Sequence, residues 1–281
     1  MLPTTSLRPV LDAQVPAEGW TCPTQLDRDR LGREVLAMYE RVAAAPRPGE
    51  FHFHVGAAYA ASRLGYDTAE LAALPGSCTA RFAGVGRPFA AGEVPPGATV
   101  LDHACGAGTD LLIAARRAGA KGRAIGVDLT PGMQEVAREA AREAGLGGRV
   151  EILAGDFAAL PLPDASVDLV LSNGVLNLAP DKLQVLREVR RVLRPGGELW
   201  LSDVVLGRPL AAGSRANAAL WAACVGGALT ESDLPRAVTH AGLTDVCVVA
   251  RHDPFGGTSL ADKFGRHLQV TSITLRARRP H

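Results

Sequence analysis

Val100-Leu101-Asp102-His103-Ala104-Cys105-Gly106-Ala107-Gly108 is the stretch that decides the fold. Thr99 to His103 reads as a short apolar strand, a run of small residues turns the chain, and Asp110 to Ala118 reads as a helix. Small residues at such a turn let a ligand lie against bare backbone. The N–H groups at the start of the helix suit a carboxylate or a phosphate. Strand, small-residue loop and helix are shared by nicotinamide enzymes, flavoproteins and methyltransferases. A tight turn with no ligand has the same outline.

Downstream, strands alternate with helices, the mark of a parallel sheet with crossovers. Ala124 to Leu129 is a second strand, and Thr130 with Pro131 opens a helix that runs to Ala144. That helix carries Glu135/Arg138 and Glu139/Arg142 at i,i+3 on its wet side. Gly145, Gly147 and Gly148 stop it. Val150 to Ala154 and Val167 to Asn173 are the third and fourth strands. Asp181 caps a helix with Leu183, Leu186, Val189 and Leu193 on its dry face and Lys182, Arg187, Glu188 and Arg191 on its wet one. Pro195-Gly196-Gly197 breaks it. Glu198 to Val205 is a fifth strand, Thr230 and Asp233 open a helix ending near Gly242, and Leu243 to Ala250 with Val270 to Ala277 complete the far edge of the sheet. The expectation is an α/β protein with a doubly wound, mostly parallel, seven-stranded sheet.

Upstream the character differs. Residues 1–95 show helical spacing and no strand alternation: Leu26 to Ala45, with Leu31, Val35, Met38 and Val42 on one face, then Ala57 to Leu64 and Thr68 to Leu74. Gly84, Gly86, Pro88, Pro95, Pro96 and Gly97 make an irregular linker. Residues 1–95 are therefore expected to form a helical cap, and 96–281 the ligand-binding domain, with a motif core at 98–205 and an acceptor-side segment with edge strands at 206–281.

The chain has 281 residues, 47% of them apolar and 21% charged, with a net charge of +1 at pH 7. That is ordinary for a globular protein. Without a basic stripe, neither nucleic acid nor an anionic membrane is expected as a partner. Met1 to Gln14 lacks a charged segment followed by an apolar run, and Leu210 to Leu229 is interrupted by Arg215 and Asn217. A cytoplasmic location is expected. The 5 cysteines, Cys22, Cys78, Cys105, Cys224 and Cys247, are widely spaced with no CxxC pair, so no zinc site or disulfide framework is expected.

Four elements carry chemistry, each at the carboxyl end of a strand, where ligands sit in open α/β sheets. The first is the loop itself, with Asp102, Ala104, Cys105, Gly106 and Gly108. The second is Asp128, about twenty residues further on, placed to accept both ribose hydroxyls; Leu129 and Met133 follow it. The third is Gly155-Asp156-Phe157, where Asp156 can accept from the adenine amine and Phe157 can bracket the ring. The fourth is Leu171-Ser172-Asn173. His52 and His54, interleaved with Phe51 and Phe53, face a substrate or a metal, or simply pack. Tyr59 reaches into a pocket from the same segment, or packs in the core.

Asp102-x-Ala104-x-Gly106-x-Gly108, then Asp128, Gly155-Asp156 and Leu193-Arg194-Pro195-Gly196-Gly197, resembles the class I S-adenosylmethionine-dependent methyltransferases over about Ala98 to Val205. A dinucleotide enzyme more typically shows a full GxGxxG, and here the run is Ala104-Cys105-Gly106-Ala107-Gly108-Thr109. The resemblance implies a Rossmann-like methyltransferase fold and S-adenosyl-L-methionine as cofactor. A narrower likeness runs through much of 80–281: Leu171 to Lys182, Gly84-Val85-Gly86-Arg87-Pro88 and Cys224 to Leu229 resemble the arsenite methyltransferases. That family holds trivalent arsenic with three thiolates. Where it places the first two cysteines this chain has Val85 and Gly174, and only Cys224 remains. One thiol cannot build a trigonal sulfur site for a soft ion. The resemblance therefore implies methyl transfer to a small soft acceptor, with Cys224, Tyr59, His52 and His54 as acceptor-side candidates. The alternatives are an arsenite methyltransferase with a reduced thiol set, a nicotinamide-dependent oxidoreductase and a non-catalytic nucleotide-binding module.

Overall fold

The structure, a computed structural model, describes Trp20 and residues 27–46, 54–217, 220–221, 225–258 and 268–281. Its centre is one sheet with strand order β3-β2-β1-β4-β5-β8-β7, where β1 is Thr99–His103, β2 Arg123–Asp128, β3 Val150–Ala154, β4 Val167–Asn173, β5 Leu193–Leu206, β7 Thr244–His252 and β8 Thr271–Arg278. The first five strands run parallel. β8 inserts antiparallel between β5 and β7. A two-residue β6, Leu229–Thr230, adds to the end of β5 beyond the seven expected strands.

The central strands are apolar on consecutive positions because both sheet faces are covered. Val100, Leu169, Leu171 and Trp200 enter one core. Leu101, Val170, Leu199 and Leu201 enter the other. The first core is closed by α5 (Thr109–Arg117), by α6 (Pro131–Glu143) and by residues from α1 (Arg28–Ala44), α2 (Ala57–Leu64), α3 (Thr68–Ala72) and α4 (Gly76–Thr79). The second is closed by α7 (Lys182–Val192) and by a later helix, Asp233–His240. The chain reverses its winding between β1 and β4, so a crevice opens at the carboxyl ends of those strands.

Asp181 caps α7 as expected, its Oδ1 accepting the Gln184 N–H at 3.0 Å. Several side-chain expectations are corrected. Lys182 is buried, not on the wet face: its Nζ donates to Ala179 O at 3.1 Å and sits 4.6 Å from the centre of the Trp221 ring. Leu193 is not on the helix. The helix ends at Val192, because Arg194 precedes Pro195 and is pushed out of the helical region, so Leu193 already pairs with Val167. Glu139 and Arg142 pair at 2.6 Å, but Arg138 turns inward to Gln134 Oε1 and Ile152 O and leaves Glu135. Thr130 makes no side-chain cap. Glu40 of α1 supplies one from outside, accepting the Gly132 N–H at 3.2 Å. Among the described residues no helix is long and apolar enough to cross a membrane.

Candidate active site

The crevice at the switch point is a cleft enclosing about 850 Å³ of space, open solvent included. Its floor is the β1 loop. Gly106 and Gly108 take φ of +51° and +92°, which glycine adopts freely, and Ala104 is held at +124°, where a Cβ is strained. That strain keeps the backbone flat under whatever lies in the cleft.

Asp128 ends β2 and anchors this loop: its Oδ2 accepts the Gly106 N–H and its Oδ1 the Thr130 N–H, both at 2.8 Å. Each carboxylate oxygen keeps a further lone pair for a ligand. Asp102, Asp110 and Asp128 are all buried and all line the cleft. Burial raises the carboxyl of Asp102 above the usual range, and its neighbours Asp110 and Asp128 raise it further. Burial also pushes Asp110 up to about 6. Three carboxylates out of water favour a cation between them.

Ala104, Cys105, Gly106, Leu129, Met133, Phe157 and Asn173 also line the cleft, as the sequence suggested they would share one site. Gly108 and Asp156 are outside the lining. Asp156 is exposed, and its Oδ1 takes the Ala158 N–H at 2.8 Å. Asn173 reaches the cleft with its polar atoms committed: Oδ1 accepts from Val85 N–H at 2.9 Å and Gly86 N–H at 3.1 Å, and Nδ2 donates to Asp110 Oδ2 at 2.9 Å and to Gly86 O at 3.0 Å.

The lining also has a largely apolar part, Phe82, Gly84, Gly174, Val175 and Leu178 with Val35, Leu36 and Tyr39 of α1, beside Arg81. Tyr59 does not line it. It is buried and donates to Gly84 O at 2.9 Å, which pins the wall from behind. His54 is likewise outside the cleft, bonded to Gly256 O at 3.1 Å and packed 5.2 Å from the Tyr59 ring. His52 and Cys224 lie outside the described residues.

The described cysteines do not replace the absent thiols. Cys78 is buried, donates to Pro75 O and has its thiol pushed up to about 11 by burial. Burial also raises Cys105, whose sulfur packs against Gly126 so closely that a Cβ there would lie 2.6 Å away. Neither is the low-pKa thiolate that soft-ion chemistry uses. Cys247 is exposed on β7, the edge strand.

The sequence reading passed over three residues. Asp110 and Tyr66 meet at 2.8 Å. His103 is buried between Ser172 Oγ and Phe157 O, each 3.3 Å from a ring nitrogen. A carbonyl only accepts, so Nε2 carries the proton and Nδ1 accepts from Ser172. Burial pulls this imidazole down to about 4, so it is neutral and sets the position of Phe157. An acid one residue into a helix and a histidine inside an apolar strand were the available signals.

Residues 95–242 match the methyltransferase-domain family. With the switch-point cleft and its strand-end carboxylates, the match defines the class: this chain belongs to the S-adenosylmethionine-dependent methyltransferases. Within them it stands beside the arsenite methyltransferases. It is 39% identical over 223 residues to the arsenite methyltransferase of Halobacterium salinarum, covering 78% of this chain and 56% of that protein. To the arsenite methyltransferase of Aquipseudomonas alcaligenes it is 38% identical over 199 residues, covering 66% of this chain and 56% of that protein. The crystal structure of CrArsM, an arsenic(III) S-adenosylmethionine methyltransferase from Chlamydomonas reinhardtii, matches with a TM-score of 0.65 at 34% identity, over 76% of this chain and 72% of that one. The chain spans just over half the length of these two curated relatives. The nicotinamide alternative gives way to this family assignment.

Proposed function

We propose that the chain transfers the methyl group of S-adenosyl-L-methionine to a small, soft nucleophile such as a thiol or a metalloid species, in the cytoplasm and without nucleic acid or membrane as a partner. The observation that carries this reading is the polarity of the cleft. Asp102, Asp110 and Asp128 line the cleft together with the apolar Phe82, Val175 and Leu178 and the glycines Gly84 and Gly174; in this reading the carboxylates mark the cofactor side and the apolar group the acceptor side. The carboxylates suit a cationic donor, and the apolar wall suits an acceptor that needs little hydration.

In this reading the loop from Asp102 through Ala104, Cys105 and Gly106 to Gly108 holds the methionine end. Asp128 accepts the ribose hydroxyls. Leu129, Met133 and Phe157 hold the adenine, and Asp156, which lies outside the cleft lining, reaches the adenine amine from its exposed position beside Phe157. The acceptor's lone pair attacks the methyl carbon in line, and the carbon–sulfur bond electrons pass to the sulfur, which leaves as a neutral thioether. The protein contributes alignment and exclusion of water. Among the described residues no imidazole lines the cleft, and a nucleophile that loses its proton without help needs none. Residues 1–95 act as the cap, α1 supplying Val35, Leu36 and Tyr39 to the wall. The free thiols Cys78, Cys105 and Cys247 are consistent with a reducing compartment.

Arsenite itself is the second reading, favoured by the relatives named above. The missing thiols weigh against it. A labelled-methyl screen over small thiols, metalloids and metabolite pools decides. Label in a small product establishes the transferase, and cofactor binding with no labelled product from any pool would make the chain a binding module.

A further inference from the structure

One cluster in the molecule touches both halves of the cleft. Asp110, one residue into α5, presents its carboxylate to the cofactor side. Tyr66 donates to Asp110 Oδ1 at 2.8 Å, and Asn173 donates to Asp110 Oδ2 at 2.9 Å. The same Asn173 accepts the Val85 and Gly86 N–H groups and donates to Gly86 O. Two backbone N–H groups on one atom fix that atom as the amide oxygen and leave the nitrogen for Asp110. Gly84 completes the fit, since a Cβ there would lie 2.3 Å from Asn173 Nδ2. Tyr66 is buried and does not line the cleft. Residues 84–86 thus rest on a side chain whose other hand holds a cofactor-side carboxylate.

We infer that Asp110 holds the cationic methionine end of the cofactor, and that Tyr66 and Asn173 transmit its occupancy to residues 84–86 on the acceptor side. The inference rests on the cofactor and acceptor sides assigned above. An ionised Asp110 accepts from both donors at full strength, and a nearby cation keeps it ionised. The charged groups around it are Asp102 on β1, Asp128 on β2, Arg117 farther along α5 and Glu70 on α3. Arg117 is paired with Glu70, at 2.7 and 2.8 Å, and lowers the Asp110 carboxyl through space without a hydrogen bond to it. Tyr66 keeps its proton, since burial and Asp110 both raise it, and so it remains a donor. Removing that hydroxyl strips Asp110 of a stabilising bond, and with it the hydroxyl's contacts to Gly86 O at 3.3 Å and Asn173 Nδ2 at 3.2 Å, while changing no side chain that lines the cleft. Asp110 then touches the cofactor, and Tyr66 and Asn173 are positioning residues.

The test is hydrogen exchange of the Val85 and Gly86 amides with and without S-adenosylmethionine, in the native chain and in Tyr66→Phe. Neither arm requires an acceptor. In the native chain, cofactor should slow exchange at both amides at least fivefold near pH 7.5, and the effect should fade as pH drops below about 6. In Tyr66→Phe the cofactor should bind within about threefold of native affinity while the protection gained at 84–86 is halved or lost. The fading should also move to higher pH, because the hydroxyl that lowers Asp110 is gone. A purely structural Tyr66 would lower the melting temperature and leave the pH midpoint in place. If Tyr66→Phe does not fold, Asp110→Asn supplies the second arm, with weaker cofactor binding and no transmitted protection expected. Equal protection in both proteins, or none in the native chain with cofactor bound, overturns the coupling alone. Absence of cofactor binding overturns the function proposed above as well.

Discussion

A Cβ built on Gly174 lies 3.5 Å from both methyl carbons of Val85, so the two positions face each other across the acceptor wall. They are the positions at which the arsenite methyltransferase pattern carries its first two thiols. Here the pair is a buried valine and a glycine at φ +76°. Neither position of this touching pair carries sulfur.

Native protein given arsenite and excess glutathione should therefore methylate arsenic slowly. Val85→Cys with Gly174→Cys should raise arsenic methylation at least tenfold, because two adjacent sulfurs can share one soft ion. The gain comes despite about 1–2 kcal/mol of strain from a side chain at positive φ. Mass spectrometry of methylated arsenic measures it. Rapid native turnover that disappears in Cys224→Ser would show that the missing thiols do not matter.

Asp128→Ala should weaken S-adenosylmethionine binding at least tenfold by calorimetry. It would remove the two charge-assisted bonds proposed to the ribose, each worth about 1.5–3 kcal/mol. It also frees the Gly106 and Thr130 amides that Asp128 holds. A folded variant with native affinity would refute the ribose assignment.

His103 gives a stability signature in acid. Its imidazole is depressed from an ordinary value near 6.5 to about 4 in the folded chain, so only the unfolded chain takes up a proton between those values. Stability from the buried neutral ring is complete above pH 6.5 and is lost as pH falls toward 4, by about 3 kcal/mol. Urea titrations should show the gap between native protein and His103→Leu narrowing by that order from pH 7 to pH 4. A gap independent of pH would mean the ring is not held neutral.

Asp203, on β5, should prove structural for the acceptor wall. It is fully buried and accepts from Asn177 Nδ2 at 2.8 Å, Asn177 N–H at 3.1 Å and Val204 N–H at 2.7 Å. These bonds fix the turn at Leu176–Leu178, next to Val175 on the cleft wall. Asp203→Ala leaves three donors facing a void and should cost about 3 kcal/mol or more in urea unfolding. A cost under about 1 kcal/mol would mean water replaces the carboxylate at no penalty.

The sheet was legible because the strands from Thr99 to Asn173 are apolar runs that end at or beside small or acidic residues, Ala104, Asp128, Gly155 and Gly174, and because the helices after β1, β2 and β4 carry clear helical spacing. Asp102, Asp128 and Phe157 could be placed together because strand ends in this topology converge. What stayed hidden depends on distant partners. Lys182 reads as a solvated base until Trp221 and Ala179 enclose it. Asp110 reads as a favourable acid in a first helical turn, and nothing local shows that Tyr66 and Asn173, 44 and 63 residues away, will meet it. The role of Glu40 in capping α6 depends on how two helices cross, which neither helix encodes alone.

That crossing bears on the lining of the cleft. α1 is latched at two points: Glu40 holds Gly132 of α6, and Arg81 holds Ala43 O at 2.6 Å. N-terminal to both latches, the same helix presents Val35, Leu36 and Tyr39 to the cleft. The bonds that hold α1 therefore also hold part of the cleft lining in place, so weakening Glu40 should loosen that lining without changing any side chain that faces the cleft.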